Sequence, residues 1–208
     1  MTFLLIILSL ITTLFCSVVY LRFAAQLCGA DFRNPLSQAL IQVTNPPLII
    51  LRRYIPGWKG KDTASIVLFL SIVLIEALIT AFIMGSSYNP ILLTLGLISR
   101  SLFIILNTYF FGLILVAIVS WVAPNPYSPV NLFFGPILAP LLRPIQRHIK
   151  PIGGAIDLSP VILIFITYLL KIGIIEMFVR LAQLLISSPL ASGDVQFFRY
   201  MIGSANFF

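Results

Sequence analysis

The chain has 208 residues, of which 60% are hydrophobic and 9% are charged, whereas soluble domains average about 45–50% apolar and about 25% charged residues. A mean hydropathy of +1.08 therefore excludes an ordinary water-soluble fold and indicates a polytopic membrane protein. One His, two Cys and six acidic residues leave little material for acid–base, nucleophilic or metal chemistry. We expect neither an enzyme nor a metal or cofactor site. The net charge of +7 does not indicate a nucleic-acid partner, because the cations interrupt apolar runs instead of forming a solvated basic face.

Four apolar runs are long enough to cross a hydrocarbon core about 30 Å thick as helices. They cover residues 2–21, 64–84, 102–123 and 158–178, and apolar residues continue after the last run up to residue 186. Four crossings place both termini on the same side of the membrane. The predicted fold is an all-α membrane protein with four transmembrane helices.

Positive charges are concentrated in the two long segments between these runs. The short segment 85–101 contains only Arg100. By the positive-inside rule, the two long segments face the cytoplasm, and both termini face outward. The cations of the long segments are Arg22, Arg33, Arg52, Arg53, Lys59 and Lys61 in the first and Arg143, Arg147 and Lys150 in the second.

The first long segment is predicted to contain two short helices. Asn34 suits an N-cap and Pro35 the first helical position, and apolar residues recur at helical spacing up to residue 43. The Asn-Pro-Pro sequence at 45–47 is expected to break this helix, and a second one covers 48–55. At about 10 residues each, the helices cannot span a bilayer. They are expected to form a proline-broken amphipathic hairpin that lies at the cytoplasmic interface or re-enters the bilayer, or to pack over the bundle without a lipid role.

Cations near the ends of the two predicted hairpins are expected to form a basic, lipid-facing patch. Their side chains can reach anionic headgroups while the stems stay on apolar surface. His148 is interpreted as part of this basic region, with a pH sensor or a haem ligand as the alternative. The patch comprises Arg52, Arg53, Arg143, Arg147 and Lys150.

The sequence contains an internal repeat. A shift of 94 residues places Pro35 on Pro129 and Pro46 on Pro140, and after Lys150 the shift becomes 95. The chain is therefore divided into a first repeat (1–84), a short outer loop (85–101), a second repeat (102–186) and a C-terminal tail (187–208). Because each repeat crosses the membrane twice, both copies have the same orientation, and we expect a pseudo-axis along the membrane normal. The repeat motif consists of Asn34, Pro35, Pro46, Pro56, Gly57 and Asp62 in the first copy and Pro129, Pro140, Pro151 and Asp157 in the second.

Several of these stretches resemble a known family. They are Asn-Pro-Leu-Ser at 34–37 and Leu-Arg-Arg-Tyr-Ile-Pro-Gly at 51–57, with Pro-Leu-Leu-Arg-Pro-Ile at 140–145 and the glycine-containing segment 153–160 in the second copy. The pattern resembles the repeat of the bacterial YggT family, also called YlmG, which has chloroplast relatives. The resemblance implies a bacterial inner-membrane protein without established catalytic residues. It also implies links to osmotic tolerance, division and envelope organisation, and in plastid relatives to haem attachment or nucleoid distribution.

Two charged residues lie at matched depth within predicted spans. Glu76 comes 12 positions after Ala64, and Lys171 comes 12 after Ser159, which corresponds to about 18 Å of helix at about 1.5 Å per residue. A lone charge near the bilayer centre costs roughly 2.5–3.5 kcal/mol on insertion scales. We therefore predict a Glu76–Lys171 pair at the repeat interface, as a structural pin between the halves or as a proton or ion relay. The even charge balance favours the pin.

A row of small residues follows Glu76 along the second span. Ala77, Ala81 and Gly85 recur every four positions and therefore lie on one helix face. Such a row lets a neighbouring helix approach closely.

Taken together, these features favour a non-catalytic scaffold or accessory factor in envelope organisation, division or membrane-complex assembly. The alternative is an ion-transport or osmotic-stress component with a polar path at the repeat interface. The expected partners are membrane lipids, especially anionic ones, and unidentified membrane proteins, with a second copy of the chain among the candidates. The expected location is the bacterial inner membrane, with both termini on the periplasmic side.

Overall fold

The structure, a computed structural model, describes residues 2–57, 62–85, 90–122, 125, 127–148, 158–185, 197, 200 and 201. The helices are α1 (Thr2–Leu27), α2 (Pro35–Tyr54), α3 (Thr63–Met84), α4 (Pro90–Val122), α5 (Pro129–His148) and α6 (Ser159–Leu185). Four of them contain stretches long and apolar enough to cross a membrane, namely Phe3–Leu27, Thr63–Met84, Pro90–Val122 and Ser159–Ala182. In the part of the chain that the structure describes, the predicted all-helical fold with four long apolar helices is confirmed.

The residues group into two units. Unit 1 comprises Met1–Ser17, Phe69–Leu106 and Leu170–Phe208, and unit 2 comprises Val18–Leu68 and Asn107–Leu169. The division falls within α1, α3, α4 and α6, whereas α2 and α5 belong entirely to unit 2. Each long helix therefore contributes side chains to both units.

The predicted break in the first hairpin is wrong, because α2 is one helix of 20 residues with Pro46 and Pro47 inside it. A proline removes one backbone donor and leaves a carbonyl one turn earlier without its usual partner. Polar side chains surround this point. Arg22 donates from Nη1 to Thr44 Oγ1 (2.5 Å) and to Asn45 Oδ1 (2.9 Å), and Thr44 donates to the Leu40 carbonyl (2.6 Å). These bonds fasten the proline-containing turn to α1.

Helix α5 is likewise one continuous helix of 20 residues, and it contains Pro136, Pro140 and Pro144. Their four-residue spacing places them on one helix face. Pro140 lacks the donor for the carbonyl of Pro136, and Pro144 lacks the donor for that of Pro140. The missing backbone hydrogen bonds therefore lie on one face of the helix. The backbone hydrogen bonds on the other faces can maintain the helix.

The first turns of α2 and α5 are capped by side chains at equivalent positions, 94 residues apart. The Asn34 side chain accepts a hydrogen bond from the Leu36 amide (2.9 Å), and Ser128 Oγ accepts one from the Asn131 amide (3.2 Å). Both side chains satisfy amides that a helix leaves unpaired at its start. Asn34 also donates from Nδ2 to the Pro129 carbonyl (2.7 Å). The starts of the two equivalent helices are thus joined directly.

The turns before these helices are also equivalent. The side chains of Asp31 and Asn125 each accept a hydrogen bond from the amide two residues later (2.8 and 2.9 Å), as in an Asx turn. The carbonyls of the same two residues accept hydrogen bonds from the side chains of Ser37 and Asn131, both at 2.8 Å. The repeat found in the sequence is therefore reproduced in the hydrogen bonds of unit 2.

Helix α4 begins earlier than the third predicted span. It starts at Pro90 and has 33 residues, so residues 90–101, which the sequence analysis assigned to the outer loop, are helical. Pro90 suits the first position of a helix, and apolar residues fill most of the positions between it and Arg100. Arg100 therefore belongs to a helix interior.

The core of unit 2 forms around α5. Phe133, Phe134 and Ile137 are buried there with Leu113 of α4. A Cβ added at Gly112 would lie 3.0 Å from the Phe134 ring, so the glycine allows the ring to approach α4. Gly29 ends α1 in the left-handed region (φ +67°), as expected at a helix C-terminus.

We predict that Asn34→Ala destabilises the protein by about 1–2 kcal/mol, because it removes both an N-cap and a buried hydrogen bond to the second repeat. Thermal unfolding in detergent measures the change. Asn34→Asp keeps the capping oxygen but loses the Nδ2 donor, and Ser128→Ala removes the equivalent cap only. If Asn34→Asp were as stable as the unmodified chain, the bond to Pro129 would contribute nothing.

Candidate functional site

A buried ion pair lies in unit 1, between Glu76 of α3 and Arg100 of α4. Arg100 Nη2 is 2.8 Å from Glu76 Oε1, and both side chains are 0% exposed. Arg100 Nε also donates to Glu76 Oε2 (3.2 Å). Both carboxylate oxygens are therefore bound by one guanidinium, which is the bidentate geometry that gives strong charge-assisted hydrogen bonds.

Helix α1 contributes hydroxyl groups to the same cluster. Arg100 Nη2 donates to Ser9 Oγ (2.8 Å) and to Thr13 Oγ1 (2.9 Å). Thr13 in turn donates to the Ser9 carbonyl (2.7 Å). Ser9 and Thr13 are four residues apart and thus share one helix face. The guanidinium consequently connects α1, α3 and α4 within unit 1.

Part of this cluster keeps unused hydrogen-bonding capacity. Among the described residues, neither Arg100 Nη1 nor Thr80 Oγ1 has a hydrogen-bond partner, and both atoms are buried. Thr80 lies one helical turn after Glu76 on α3. Arg100 also faces the Phe103 ring, with 6.0 Å between Cζ and the ring centroid, a cation–π distance. Such donors and hydroxyls would be hydrated if water reached them.

The predicted Glu76–Lys171 pair is wrong in its cation. Glu76 binds Arg100, while Lys171 is buried in unit 1 with its Nζ 4.8 Å from the centroid of the Phe103 ring. Arginine suits the buried position because its planar fork binds both carboxylate oxygens and its charge is less strongly hydrated than an ammonium. Arg100 was not predicted as the partner of Glu76, because residues 85–101 were expected to form the outer loop. The apolar run that follows Pro90 was the available signal that Arg100 lies in a helix.

The arginines of the predicted basic patch lie on α2 and α5, in unit 2. Arg53, Arg143 and Arg147 are exposed. Arg52 is 42% exposed and binds the carboxylate of Asp62, with 2.5 Å between Nη2 and Oδ2. Arg52 therefore has a structural contact that is not found for the other three among the residues that the structure describes. Lys150 lies outside the described residues, as does the side chain of His148.

Asp62 accepts hydrogen bonds at the start of α3. Ser65 Oγ donates to its Oδ2 (2.7 Å) in addition to Arg52. Burial alone would raise the pKa of Asp62, but the hydrogen bonds from Arg52 and Ser65, and the charges of Arg52 and Arg22, outweigh it, so the pKa lies below its usual value. Asp62 thus ties the end of α2 to the start of α3 as a carboxylate.

The remaining repeat-motif residues have structural positions in unit 2. Pro35 and Pro129 are the first residues of α2 and α5, and Pro46 and Pro140 lie inside these helices. Pro56 and Gly57 follow α2, and the Pro56 carbonyl accepts a hydrogen bond from Thr63 Oγ1 (2.8 Å). The two counterparts in the second copy, Pro151 and Asp157, lie outside the described residues.

Unit 2 also contains an open apolar pocket of about 350 Å³. Side chains of α1, α2, α4 and α5 form its walls, and all of them are apolar. No cluster of three or more His, Cys, Asp or Glu residues that could hold a metal ion occurs in the part of the chain that the structure describes. The pocket is lined by Val18, Leu21, Leu36, Ala39, Leu40, Val43, Leu115, Phe133 and Phe134.

We predict that Glu76→Gln lowers the free energy of unfolding by about 3–5 kcal/mol, because it leaves the Arg100 charge buried without a carboxylate. The double variant Glu76→Gln/Arg100→Met should recover part of this loss, since it removes both charges. Glu176→Gln, at an exposed position of α6, is the matched control. Thermal unfolding in detergent measures all three, and a double variant that is less stable than Glu76→Gln would contradict energetic coupling between the two charges.

The lowered pKa of Asp62 predicts a loss of stability in acid. Because the folded pKa lies below the usual value of about 3.9, the Asp62 contribution is complete above that value and disappears as the pH falls through the folded pKa. The unmodified chain should therefore be more stable than Asp62→Asn at neutral pH, and the difference should shrink below about pH 4. Melting temperatures from pH 7 to pH 3 test this. A constant difference across that range would show that the carboxylate charge is not involved.

Comparison with known proteins places the chain in a family. The family described as CCB3/YggT matches residues 1–83 and again residues 95–178, which agrees with the repeat offset of 94 to 95. "Uncharacterized protein PA0392" of Pseudomonas aeruginosa is 40% identical over 159 residues, which is 74% of this chain and 79% of that protein. "Uncharacterized protein YggT" of Escherichia coli strain K12 is 34% identical over 174 residues, 82% of this chain and 88% of the relative. No solved structure is significantly similar. The chain therefore belongs to the CCB3/YggT family and contains two copies of its repeat.

Proposed function

We propose that this YggT-family protein is a non-catalytic scaffold or accessory factor of the bacterial inner membrane. It engages anionic lipids and membrane protein partners through α2 and α5. The observation that carries the proposal is that both helices expose arginines together with large apolar side chains. This combination suits a surface that contacts lipid headgroups and the upper acyl chains at once.

Helix α2 gives the clearest example of such a surface. Ile49 and Ile50 are 64% and 63% exposed, Tyr54 is 77% exposed, and Arg53 is exposed in the same stretch. On α5, Leu132 and Leu141 are exposed, as are Arg143 and Arg147. The apolar side chains favour the interface, and the arginines favour an anionic leaflet. By the positive-inside rule, this surface belongs on the cytoplasmic side, with both termini in the periplasm.

The buried ion pair supports a scaffold over an ion pathway. Both oxygens of Glu76 are bound by Arg100, so the carboxylate offers no unoccupied oxygen to a passing ion. Breaking a buried bidentate pair costs several kcal/mol. A group held in this way stabilises helix packing. Roles in envelope organisation, division or membrane-complex assembly fit a protein whose helices are held together in this way and whose surface contacts lipids and partner proteins.

We predict that neutralising the exposed arginines reduces the enrichment of anionic lipid around the protein. Each Arg near an anionic surface contributes about 1 kcal/mol, so Arg53→Gln/Arg143→Gln/Arg147→Gln should weaken the preference by about five-fold per residue at most. Native mass spectrometry of protein from nanodiscs with mixed zwitterionic and anionic phospholipids counts the retained lipids. Arg180→Gln, at an exposed position of α6, is the control.

A flux assay separates the proposal from ion transport. The purified protein in liposomes should pass neither K⁺ nor protons above the background of empty liposomes. Flux that disappears in Glu76→Gln would overturn the scaffold and favour the transport alternative. Equal anionic enrichment in the triple variant and the unmodified chain would contradict the lipid-facing role of α2 and α5.

A further inference from the structure

We propose that Phe197, Tyr200 and Met201, near the C-terminus, act as an intramolecular plug that covers the Glu76–Arg100 pair and keeps it dry. These three residues belong to unit 1 together with the pair. They lie beyond residue 178, where the second match to the family ends. The inference is independent of the lipid-binding function proposed for α2 and α5.

The plug packs on the row of small residues that the sequence analysis identified in α3. Phe197 and Met201 are 2% and 0% exposed, and they form one buried cluster with Ala77 and Ala81. Phe197 and Met201 are four residues apart, the spacing that places two side chains on one helix face. Ala77 directly follows Glu76 in the chain, so the plug contacts α3 in the same helical turn as the carboxylate.

The plug also contacts α4 close to Arg100. A Cβ added at Gly96 would lie 3.7 Å from Met201 Cβ and 3.9 Å from Phe197 Cε1. Gly96 is four residues before Arg100, and therefore one turn away on the same face of α4. Phe197 and Met201 therefore pack on α3 and α4 within one helical turn of Glu76 and Arg100, at positions where the helices carry little side-chain volume.

Tyr200 ties the plug to α1 close to the pair. Its hydroxyl donates to the Leu5 carbonyl, one helical turn before Ser9, whose Oγ accepts from Arg100. Burial, with the Glu76 charge as the next contribution, raises the pKa of Tyr200 to about 12, against smaller lowering effects of Ser9 and Arg100. The hydroxyl therefore remains protonated at neutral pH. Tyr200 thus fixes the plug to the part of α1 that also binds Arg100.

The need for a cover follows from the polar atoms beneath it. Arg100 Nη1 and Thr80 Oγ1 are buried without a partner among the described residues, and Thr80 lies on α3 between Ala77 and Ala81. Water that reached these groups would hydrate them and weaken the ion pair, because a hydrogen-bonded pair is stronger in a medium of low dielectric constant. Two large apolar side chains at this point exclude that water.

Cys16 provides a native probe of the cover. It is 0% exposed, lies on α1 three residues after Thr13, and its thiol is directed to the Phe69 carbonyl (4.0 Å). In full-length protein carrying Cys28→Ser, the rate of modification by a small water-soluble methanethiosulfonate reports water access to unit 1. Because truncating buried Phe and Met side chains is strongly destabilising locally, Phe197→Ala/Met201→Ala should accelerate labelling of Cys16 by about ten-fold or more.

Two further variants separate covering from general unfolding. Tyr200→Phe keeps the packing but removes the hydrogen bond to the Leu5 carbonyl, and it should give a smaller acceleration. Phe165→Ala/Met177→Ala removes side chains of the same kinds from exposed positions of α6, and it should leave the rate unchanged. The plug variants are also prepared with Cys16→Ser in place of Cys28→Ser. The labelling rate of Cys28, which belongs to unit 2, then reports whether the rest of the chain remains folded.

Faster labelling of Cys16 with an unchanged rate at Cys28 supports the plug. An unchanged rate at Cys16 in Phe197→Ala/Met201→Ala overturns it. An equal acceleration at both cysteines also overturns it, because the residues would then support the whole fold instead of covering one site. Acceleration in the α6 control to the level of the plug variant would likewise contradict the proposal.

Discussion

The compensation of buried charge is the constraint on which unit 1 depends. A glutamate and an arginine lie in helices that are otherwise apolar, and each would be costly alone in a medium without water. The bidentate pair between Glu76 and Arg100, together with the Ser9 and Thr13 hydroxyls on α1, reduces that cost. Because the bonds are directional, they also restrict the register of the three helices. Apolar packing alone is weakly specific between helices that are hydrophobic on all sides, so this cluster supplies specificity as well as charge balance.

The two repeats share their backbone framework but not their buried charges. In unit 2, equivalent turns and caps recur 94 residues apart, and Asn34 joins them through the Pro129 carbonyl. In unit 1, the equivalent positions 76 and 171 carry opposite charges with different surroundings: the carboxylate binds Arg100, and the ammonium lies over the Phe103 ring. Turn and cap motifs are satisfied locally, so each copy can keep them independently. A buried charge must be compensated by the side chains around it. Because Glu76 is paired with Arg100 while Lys171 lies on the Phe103 ring, the two repeats differ at these buried positions.

The sequence predicted the features that depend on local patterns. The presence of four apolar spans, the Asn34 cap and the repeat offset follow from hydropathy, capping chemistry and the order of prolines, and the structure reproduces them. Features that depend on contacts between residues distant in the sequence were harder to predict from local patterns. The continuity of α2 through Pro46 and Pro47 involves contacts from Arg22 on another helix. The partner of Glu76 depends on where α4 begins, since only an early start at Pro90 brings Arg100 into the bundle. The plug residues lie after the recognisable repeat, and the small side chains of α3 indicated a close neighbour without identifying it.

Exposure separates the cations that stabilise the fold from those available for function. Arg22 and Arg100 are buried, and each is bound by side chains of other helices. Arg52 is intermediate, since its guanidinium is partly exposed but holds Asp62. Arg53, Arg143 and Arg147 are exposed, and a solvent-facing arginine contributes little to stability even when it is paired. A charge that the fold does not need is free to be selected for what it contacts outside the molecule. The lipid-contacting surface that we propose is therefore placed on α2 and α5, which carry these exposed charges beside exposed apolar side chains.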